Sequence, residues 1–347
     1  MLRICARRFV TQSSTPRRRL TRDDVDIIAN PSDEYMDEFM KRHGATRPVF
    51  KRNDPEMWKR SFGDDYILKF VCLKGKTNVF CSGHTLITRP IDPKINRPFL
   101  FMGLGWLNDK YKALGATPFA SEQIEMEVES RETNVISHLN HASRRFFHTM
   151  FKKPELDDVG SDCSEVGYIS YYSKDDVIIP KTLDLTGITV SNASDLPRNA
   201  IIDYDQKVHP FHREAYIISH LTDPSGFGKV AVDARGRVIG IGQAIVYPRG
   251  DCNLGPMYAD DPRVCQAILL HILNDIAKSG RDVTRFEVRS GQKNKDSFRW
   301  IEPFLKRPPK RHYVSNLTYR HELPNGIDFE RGSLSTIVGI RDEGVRL

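Results

Sequence analysis

The residues best suited to chemistry lie in one glycine-containing segment, Gly105–Phe119. Within it, Lys112, Gly115 and Thr117 precede a run that is predicted to be a helix from Pro118. Small residues at a helix start let successive backbone N–H groups approach a pyrophosphate, and the helix dipole favours its negative charge. An ordinary helix start, with Thr117 as N-cap and Pro118 at N1, explains the same residues. The segment therefore indicates either an anion site or a plain helix cap.

Other polar residues give weaker signals. The candidate proton donors and acceptors are Glu125, Glu127, Glu129, Tyr111 and His138. Their spacing ranks none of them, and residues of these types are more often on the surface or in packing contacts, so the catalytic residues are not assigned. The histidines 138, 141 and 148 have no cysteine or carboxylate at metal-ligand spacing, and no metal site is predicted.

Two further motifs are interpreted as structural elements without a binding function. The glycines of Gly236–Gly242 lie in a predicted β-hairpin rather than at a strand-to-helix junction, so they do not predict a phosphate loop. The basic run Lys306–Arg311 has no interleaved aromatic residues and reads as a solvated turn. Neither motif predicts a nucleic-acid partner.

The net charge of +7 belongs to the N-terminal segment. Residues 1–22 carry seven arginines and no acidic residue, which leaves the remaining 325 formally neutral. An Arg-rich, acid-free start without an uninterrupted apolar core is typical of a mitochondrial transit peptide; a basic arm without targeting function is the alternative. No apolar run is long enough to span a membrane, and six cysteines without a C-x-x-C pair suit a reducing compartment such as the matrix.

The order of predicted elements repeats along the chain. Hydrophobic periodicity predicts strands and helices in a similar order over residues 23–182 and over residues 183–347. The clearest helix is Asp261–Ser279, with Asp261 as its cap, Pro262 at N1 and Gly280 after its end. The sequence thus predicts an α+β, or mixed α/β, protein with two tandem domains of one architecture after a disordered leader, residues 1–22.

The segment around Gly115 resembles motif A of the Gcn5-related N-acetyltransferases (GNAT proteins), in which R/Q-x-x-G-x-G/A follows a central strand. Here that strand is Phe99–Leu107, and the segment from Asn140 is similar to the family's helix opening near the pantetheine arm of CoA. The resemblance implies two tandem acyl-CoA N-acyltransferase folds, each a twisted, mostly antiparallel sheet flanked by helices. The implied acetyl-CoA contacts are Leu107, Lys112, Leu114, Gly115, Ala116, Thr117 and Asn140.

Residues 197–345 are similar to the C-terminal domain of the YitH/HolE-type tandem acetyltransferases. The similarity rests on the hairpin Val230–Gly240 and the segments Leu254–Pro262 and Ser335–Gly339. This half lacks the glycine motif, and Asp260 and Asp261 at its helix start would repel a pyrophosphate. We therefore expect acetyl-CoA in the first half, with the second half forming part of the acceptor site or an interface.

The resemblance implies direct transfer of an acetyl or other acyl group from acetyl-CoA to an amine of a small-molecule or amino-acid-like acceptor. The strand Phe99–Leu107 would supply a backbone N–H to the thioester oxygen. Two alternatives remain: a catalytically inactive acyl-CoA-binding or interaction module of the same fold, and a nucleic-acid-associated matrix protein. The neutral charge after residue 22 disfavours the latter.

Overall fold

The computed structural model describes residues 18–46, 51–125, 132–139, 162–291, 299–308, 311–328 and 330–331. Asn140, Glu127 and Glu129 lie outside the described residues, as do the predicted helix 141–152 and the predicted strand 335–340.

The first half contains six strands and four helices among the described residues. The strands are β1 (Val25–Ala29), β2 (Tyr66–Leu73), β3 (Val79–Thr88), β4 (Phe99–Leu107), β5 (Asn134–Leu139) and β6 (Asp162–Ser173). The helices are α1 (Asp33–Thr46), α2 (Asp54–Phe62), α3 (Asp109–Lys112) and α4 (Thr117–Glu125). Alternating apolar residues form the strands, and Pro55 in the first turn of α2 suits a position where its missing N–H costs nothing.

The second half repeats this order. Its strands are β7 (Thr189–Asn192), β8 (Lys229–Val232), β9 (Val238–Val246), β10 (Asp251–Ala259), β11 (Arg285–Gly291) and β12 (Arg311–Tyr319). Its helices are α5 (Arg198–Val208), α6 (Glu214–Leu221) and α7 (Pro262–Ser279). The apolar residues over Pro197–Thr222 have helical spacing throughout, but the segment forms two helices, because Pro210 lacks an N–H and cannot continue α5. The mixed α/β class and the repeated order are confirmed.

All twelve strands form one sheet, in the order β1-β2-β3-β4-β5-β12-β6-β11-β10-β9-β8-β7. Neighbouring strands are antiparallel except for two parallel pairs, β4 with β5 and β10 with β11. The last strand, β12, lies between β5 and β6 of the first half, and β6 pairs with β11 of the second. Each half therefore supplies a strand to the sheet of the other.

The largest hydrophobic core is shared by both halves. It contains Phe39 of α1, Trp58 of α2, Tyr204 of α5 and Tyr216 of α6, all packed on one face of the sheet. We call this the inner face. The outer face carries α4 over the first half and α7 over the second, each with its own cluster. The predicted boundary at residue 182 falls between β6 and β7, while the sheet and the inner core run across it.

Close packing of α7 on β9 depends on glycine. A Cβ added at Gly240 would lie 2.6 Å from Cγ1 of Val264 and 3.0 Å from the carbonyl oxygen of Tyr258. Gly240→Ala is expected to lower the free energy of unfolding by about 1–3 kcal/mol, the range for overpacking. Urea denaturation would measure this loss.

A double-mutant cycle checks the cause. Val264→Ala removes the methyl group that the new Cβ would meet, so Gly240→Ala should cost less in that background. An equal cost in both backgrounds would contradict a clash with Val264.

Candidate active site at the opening between β4 and β5

The parallel strands β4 and β5 separate halfway along β4. They pair only over Phe99–Met102 and Asn134–Ser137. Beyond Met102, a bulge between Gly103 and Trp106 lets β4 continue along β3, while β5 pairs with β12. We call the gap bordered by residues 103–107 of β4 and 138–139 of β5 the β4–β5 opening. Backbone groups on the β4 side there have no β5 partner, as an oxyanion contact requires.

The predicted pyrophosphate segment follows β4 directly as α3 and a tight turn. Asn108 caps α3 by accepting a hydrogen bond from the backbone N–H of Lys110 at 3.0 Å. Gly115, with a φ of +77°, ends the helix. Its N–H donates to the Lys112 carbonyl at 3.0 Å, and that of Ala116 donates to the Tyr111 carbonyl at 3.1 Å. This pair of bonds is a Schellman C-cap, in which glycine is favoured because φ is positive.

The predicted contact residues occupy distinct environments. Leu107 and Ala116 are buried in the outer cluster under α4, whereas Lys112 is partly exposed and its ammonium lies 2.8 Å from Asp109. Thr117 begins α4. The N–H of Leu114, like those of Gly115 and Ala116, donates to a backbone carbonyl. Among these predicted contacts, Lys112 and Thr117 combine a polar side chain with partial exposure.

Tyr111 is a packing residue, because its buried ring stacks on Phe80 with centroids 4.5 Å apart. Glu125 lies at the end of α4 and His138 on β5. Neither Glu127 nor Glu129 is among the described residues.

The end of the arginine-rich segment packs against this turn. The N–H of Leu20 donates to the Leu114 carbonyl at 2.8 Å, and Arg22 pairs with Glu122 of α4 at 2.7 Å. The side chain of Arg19 lies beside Gly115. Residues that the sequence assigned to the leader thus place cations next to the predicted pyrophosphate position.

One histidine lies on the inner face beside β4, next to the residue at which β4 leaves β5. His84 of β3 is paired with Leu68 of β2 on one side and with Gly103 of β4 on the other. Directly opposite residues of antiparallel strands project to the same face. Gly103 has no side chain to shield the imidazole, and it is the residue at which β4 leaves β5.

The surroundings of His84 are aromatic. Its ring lies 5.5 Å from Trp58, 5.6 Å from Tyr66 and 6.4 Å from Phe101, centroid to centroid. Nδ1 lies 3.5 Å from the Tyr66 hydroxyl, and Nε2 has no hydrogen-bond partner in the described part of the chain. Complete burial lowers the pKa of His84 to about 3 because it disfavours the charged imidazolium. His84 is therefore neutral at physiological pH and has a free lone pair if Nδ1 carries the proton.

A cavity of about 390 Å³ opens beside this histidine, between α1, α2 and the strands β1 and β2. Leu68, which is paired with His84, and Tyr66, which contacts it, form part of its wall. The charged residues of the wall are Asp33, Arg52, Glu56 and Lys59. The cavity thus reaches two neighbours of His84, while His84 itself is not part of its wall.

The second half has a related opening with a different helix start. The strands β10 and β11 pair in parallel only over Asp251–Leu254 and Arg285–Val288. The N-terminus of α7 is capped by the Asp261 carboxylate, which accepts from the N–H groups of Arg263 and Val264. Asp260 accepts from the Tyr204 hydroxyl at 3.1 Å. Two carboxylates thus occupy the position where a pyrophosphate would bind.

Sequence comparison assigns the chain to a family. The model of a family described as "Protein of unknown function (DUF1248)" matches residues 22–208. The chain belongs to this family. No curated protein sequence matches the DUF1248 chain.

Solved structures establish the fold. An acetyltransferase-class protein from Pyrococcus horikoshii aligns with a TM-score of 0.59 at 16% identity, covering 90% of the DUF1248 chain and 96% of its own. The tandem GNAT protein of the clavulanic acid pathway gives 0.53 at 10% identity, covering 86% and 100%. N-myristoyltransferase of Saccharomyces cerevisiae, with bound myristoyl-CoA, gives 0.56 at 11% identity, covering 94% and 88%. The predicted tandem GNAT fold is confirmed; the YitH/HolE-type relationship stays a prediction.

Two kinds of feature are not found in the described residues of the DUF1248 chain, a helix that could span a membrane and a side-chain cluster that could hold a metal ion. None of the helices in the described ranges combines the length and the apolar character needed to cross a bilayer. Among the same residues, no three His, Cys, Asp or Glu side chains are grouped to hold a metal ion.

His84 is not among the residues predicted from the sequence. The one sequence feature that could have indicated it is a polar, titratable residue that alternates with Ser82 and Leu86 on the inward-facing side of a strand whose residues are nearly all buried. The cavity gives no sequence signal, because residues from two helices and two strands converge there only after folding.

Proposed function

We propose that this protein is an N-acyltransferase that transfers an acetyl or related acyl group from acetyl-CoA directly to an amine of a small-molecule or amino-acid-like acceptor. The observation that carries the proposal is the neutral, buried His84 at the point where β4 leaves β5 in a tandem GNAT fold. A base, an open strand edge and an adjoining cavity are what aminolysis of a thioester needs.

The co-substrate is assigned to the first half. The residues fit an acyl-CoA if the pyrophosphate meets the Lys112 ammonium and the start of α4 at Thr117. The residues proposed to contact acetyl-CoA are those predicted above, with Asn140 outside the described ranges. The N-terminus of α7 is already capped by the Asp261 carboxylate, which supports placing no acetyl-CoA in the second half.

His84 would act during formation of the C–N bond. The amine attacks the thioester carbon as the free base, and its nitrogen becomes positively charged as the bond forms. An N–H proton then passes to Nε2 of His84, which requires the tautomer whose Nδ1–H donates to the Tyr66 hydroxyl. As the tetrahedral intermediate collapses, the C–S bond breaks and the sulfur takes up the proton that His84 releases, which gives the amide and free CoA and returns His84 to its neutral form.

One observation favours the second candidate, an inactive acyl-CoA-binding or interaction module. Three N–H groups of the predicted pyrophosphate turn, those of residues 114–116, are already bonded to carbonyls. Turnover with an amine panel separates this module from the enzyme.

The mitochondrial matrix is the proposed location. The support is the composition of residues 1–22. Fusion of these residues to a fluorescent protein tests it: mitochondrial fluorescence is expected, and diffuse fluorescence would contradict it.

Lys112→Glu tests where acetyl-CoA binds. Reversing the charge beside a pyrophosphate is expected to weaken binding by about tenfold or more, because a charge-assisted contact becomes a repulsion. Calorimetry with acetyl-CoA measures this loss. Acetyl-pantetheine, which lacks the pyrophosphate, should bind both proteins equally.

Lys110→Glu is the matched control, because Lys110 is an exposed residue of the same helix. Equal weakening by both changes would indicate a general electrostatic effect. No binding of acetyl-CoA to the wild-type protein would exclude both the enzyme and the acyl-CoA-binding module.

A further inference from the structure

The segment before β1 is a hydrogen-bonded turn. The Thr21 N–H and hydroxyl both donate to the Asp24 carboxylate, at 2.8 and 2.7 Å, and Nη2 of Arg18 donates to the same carboxylate at 3.2 Å. The N–H of Asp24 donates to the Thr21 carbonyl at 3.1 Å. Side chains that bond neighbouring backbone groups in this way hold a short segment in one conformation. We call residues 18–24 the N-terminal strap.

The strap is attached to the turn between α3 and α4. The N–H of Leu20 donates to the Leu114 carbonyl at 2.8 Å, and the Leu20 side chain packs against the outer cluster of the first half. The stem of Arg19 lies against Gly115, where its Cγ and Cδ are 3.7 Å from the position that a Cβ would take. The strap therefore covers the predicted pyrophosphate turn with both backbone and side-chain contacts.

Further contacts connect the strap to two other parts of the fold. The N–H of Lys74, in the turn after β2, donates to the Asp24 carbonyl at 2.9 Å. Nε of Arg22 pairs with Glu122 of α4 at 2.7 Å, but the Arg22 side chain is 55% exposed. An exposed pair adds little stability. We therefore expect the apolar contact of Leu20 to contribute more to the attachment.

Composition alone cannot separate the strap from the leader, because arginine suits both an import signal and an ion pair. Four of the seven arginines precede residue 18, and the other three lie in the strap. Two of these three, Arg18 and Arg22, have carboxylate partners in the fold, on Asp24 and Glu122. Removal of a leader that ended at residue 22 would take the attachment away from the turn.

We propose that the folded protein begins at Arg18: a protease that removes the leader cuts N-terminal to this residue, and the strap stays as a positioning element of the acetyl-CoA turn. The cut is hydrolysis of one peptide bond, which consumes a water molecule and leaves a carboxylate on the leader and an amino group on the mature chain. The position of the cut rests on the proposed mitochondrial location, and the role of the strap rests on the proposed acetyl-CoA site. Without the strap, fewer contacts hold Lys112 and Thr117, and only molecules with the turn in position bind the co-substrate.

Leu20→Ser in the full chain tests the role of the strap. The apparent Kd for acetyl-CoA, measured by calorimetry, is expected to rise by about tenfold, because serine cannot replace the packing of Leu20 on the outer cluster. Acetyl-pantetheine, which lacks the pyrophosphate, should bind the variant and the wild type equally. The midpoint of urea denaturation should fall, since an apolar contact is lost.

Two variants are the controls. Leu2→Ser makes the same change N-terminal to Arg18 and should alter neither the Kd nor the urea midpoint. Arg22→Gln removes only the exposed pair with Glu122 and should raise the Kd by less than about threefold.

The outcomes separate the role of the strap from the proposed function. A lower midpoint for Leu20→Ser with an unchanged Kd would overturn the positioning role, and an unchanged midpoint would show that the strap is not part of the fold. If the wild type binds no acetyl-CoA, the proposed function and the positioning role fail together. The urea midpoints then decide whether the strap belongs to the folded protein.

The N-terminus of the processed protein tests the position of the cut. The full chain with a C-terminal tag is expressed in cultured eukaryotic cells and purified from their mitochondria, and mass spectrometry identifies its N-terminal peptide. A shortened chain that starts at Arg18 or at an earlier residue is expected. A chain that starts after Arg18 would refute the proposed position. An uncut chain would overturn the cut, and a chain absent from mitochondria the location as well, while neither result affects the strap.

Discussion

Replacing His84 by Gln is expected to lower kcat for amine acetylation by about 10²-fold, the low end of a general base's usual contribution, because an imidazole with a pKa of about 3 is a weak proton acceptor. The KM for acetyl-CoA should stay within about twofold, because His84 is not among the residues proposed to contact acetyl-CoA. Glutamine preserves the volume and polarity of the side chain but cannot accept the proton. Steady-state kinetics with a saturating amine measures the change.

His209→Gln is the matched control. His209 is also completely buried, and burial holds its pKa well below the ordinary value, but it lies at the end of α5, away from the β4–β5 opening. Its replacement should leave kcat unchanged. Tyr66→Phe removes the hydroxyl near Nδ1 and should lower kcat less than His84→Gln does, as expected of a positioning residue. Equal activities of His84→Gln and wild type would refute the proposed base.

The pH profile has a predicted sign. Because the pKa of His84 is about 3, the imidazole is neutral throughout the physiological range. The value of kcat/KM should therefore rise with pH as the acceptor amine, with a pKa of about 10, loses its proton. His84→Gln should lower kcat/KM at every pH without shifting the pH at which it rises. A wild-type inflection near pH 6.5 that disappears in this variant would show that His84 titrates as an exposed histidine.

Breaking the buried ion pair between Asp205 and Arg213 is expected to reduce the free energy of unfolding by about 3–5 kcal/mol. Arg213 donates through Nε at 2.8 Å and through Nη2 at 2.5 Å, and the two side chains are 2% and 3% exposed. Arg213→Ala leaves the Asp205 carboxylate buried without its partner, and Asp205→Ala does the reverse. Urea denaturation monitored by circular dichroism measures the loss.

An exposed pair of the same geometry is the control for this prediction. Arg89 donates to both carboxylate oxygens of Asp65, at 2.7 and 2.6 Å, but its side chain is 55% exposed. Arg89→Ala should cost less than about 1 kcal/mol. The double replacement Asp205→Leu with Arg213→Met should recover most of the stability lost in either alanine variant. Similar losses for Arg89→Ala and Arg213→Ala would contradict the role of burial.

Local elements could be predicted from the sequence, whereas the strand order could not. The bounds of β3 and β4 follow from alternation and turn residues, and α7 from its cap, its proline and Gly280. Nothing in a strand's own residues says which edge it will join. The insertion of β12 between β5 and β6 therefore became visible only in the fold, as did the core shared by the two halves.

The candidate site likewise has one part that could be predicted from the sequence and one that could not. The glycine motif identified the turn after β4, but an equivalent spacing also suits a helix end, and Gly115 does serve as the C-cap of α3. His84 is distant from that motif in the sequence. It comes to lie beside Gly103 of β4 through strand pairing, which residue spacing does not encode.

The position of β12 also constrains how the protein is made. Until the ribosome has released the chain through Tyr319, β5 and β6 each present an edge that only β12 can occupy. Unpaired edges invite pairing with other chains. The nascent first half is thus aggregation-prone until the last strand arrives, and we expect a chaperone to bind it in that interval.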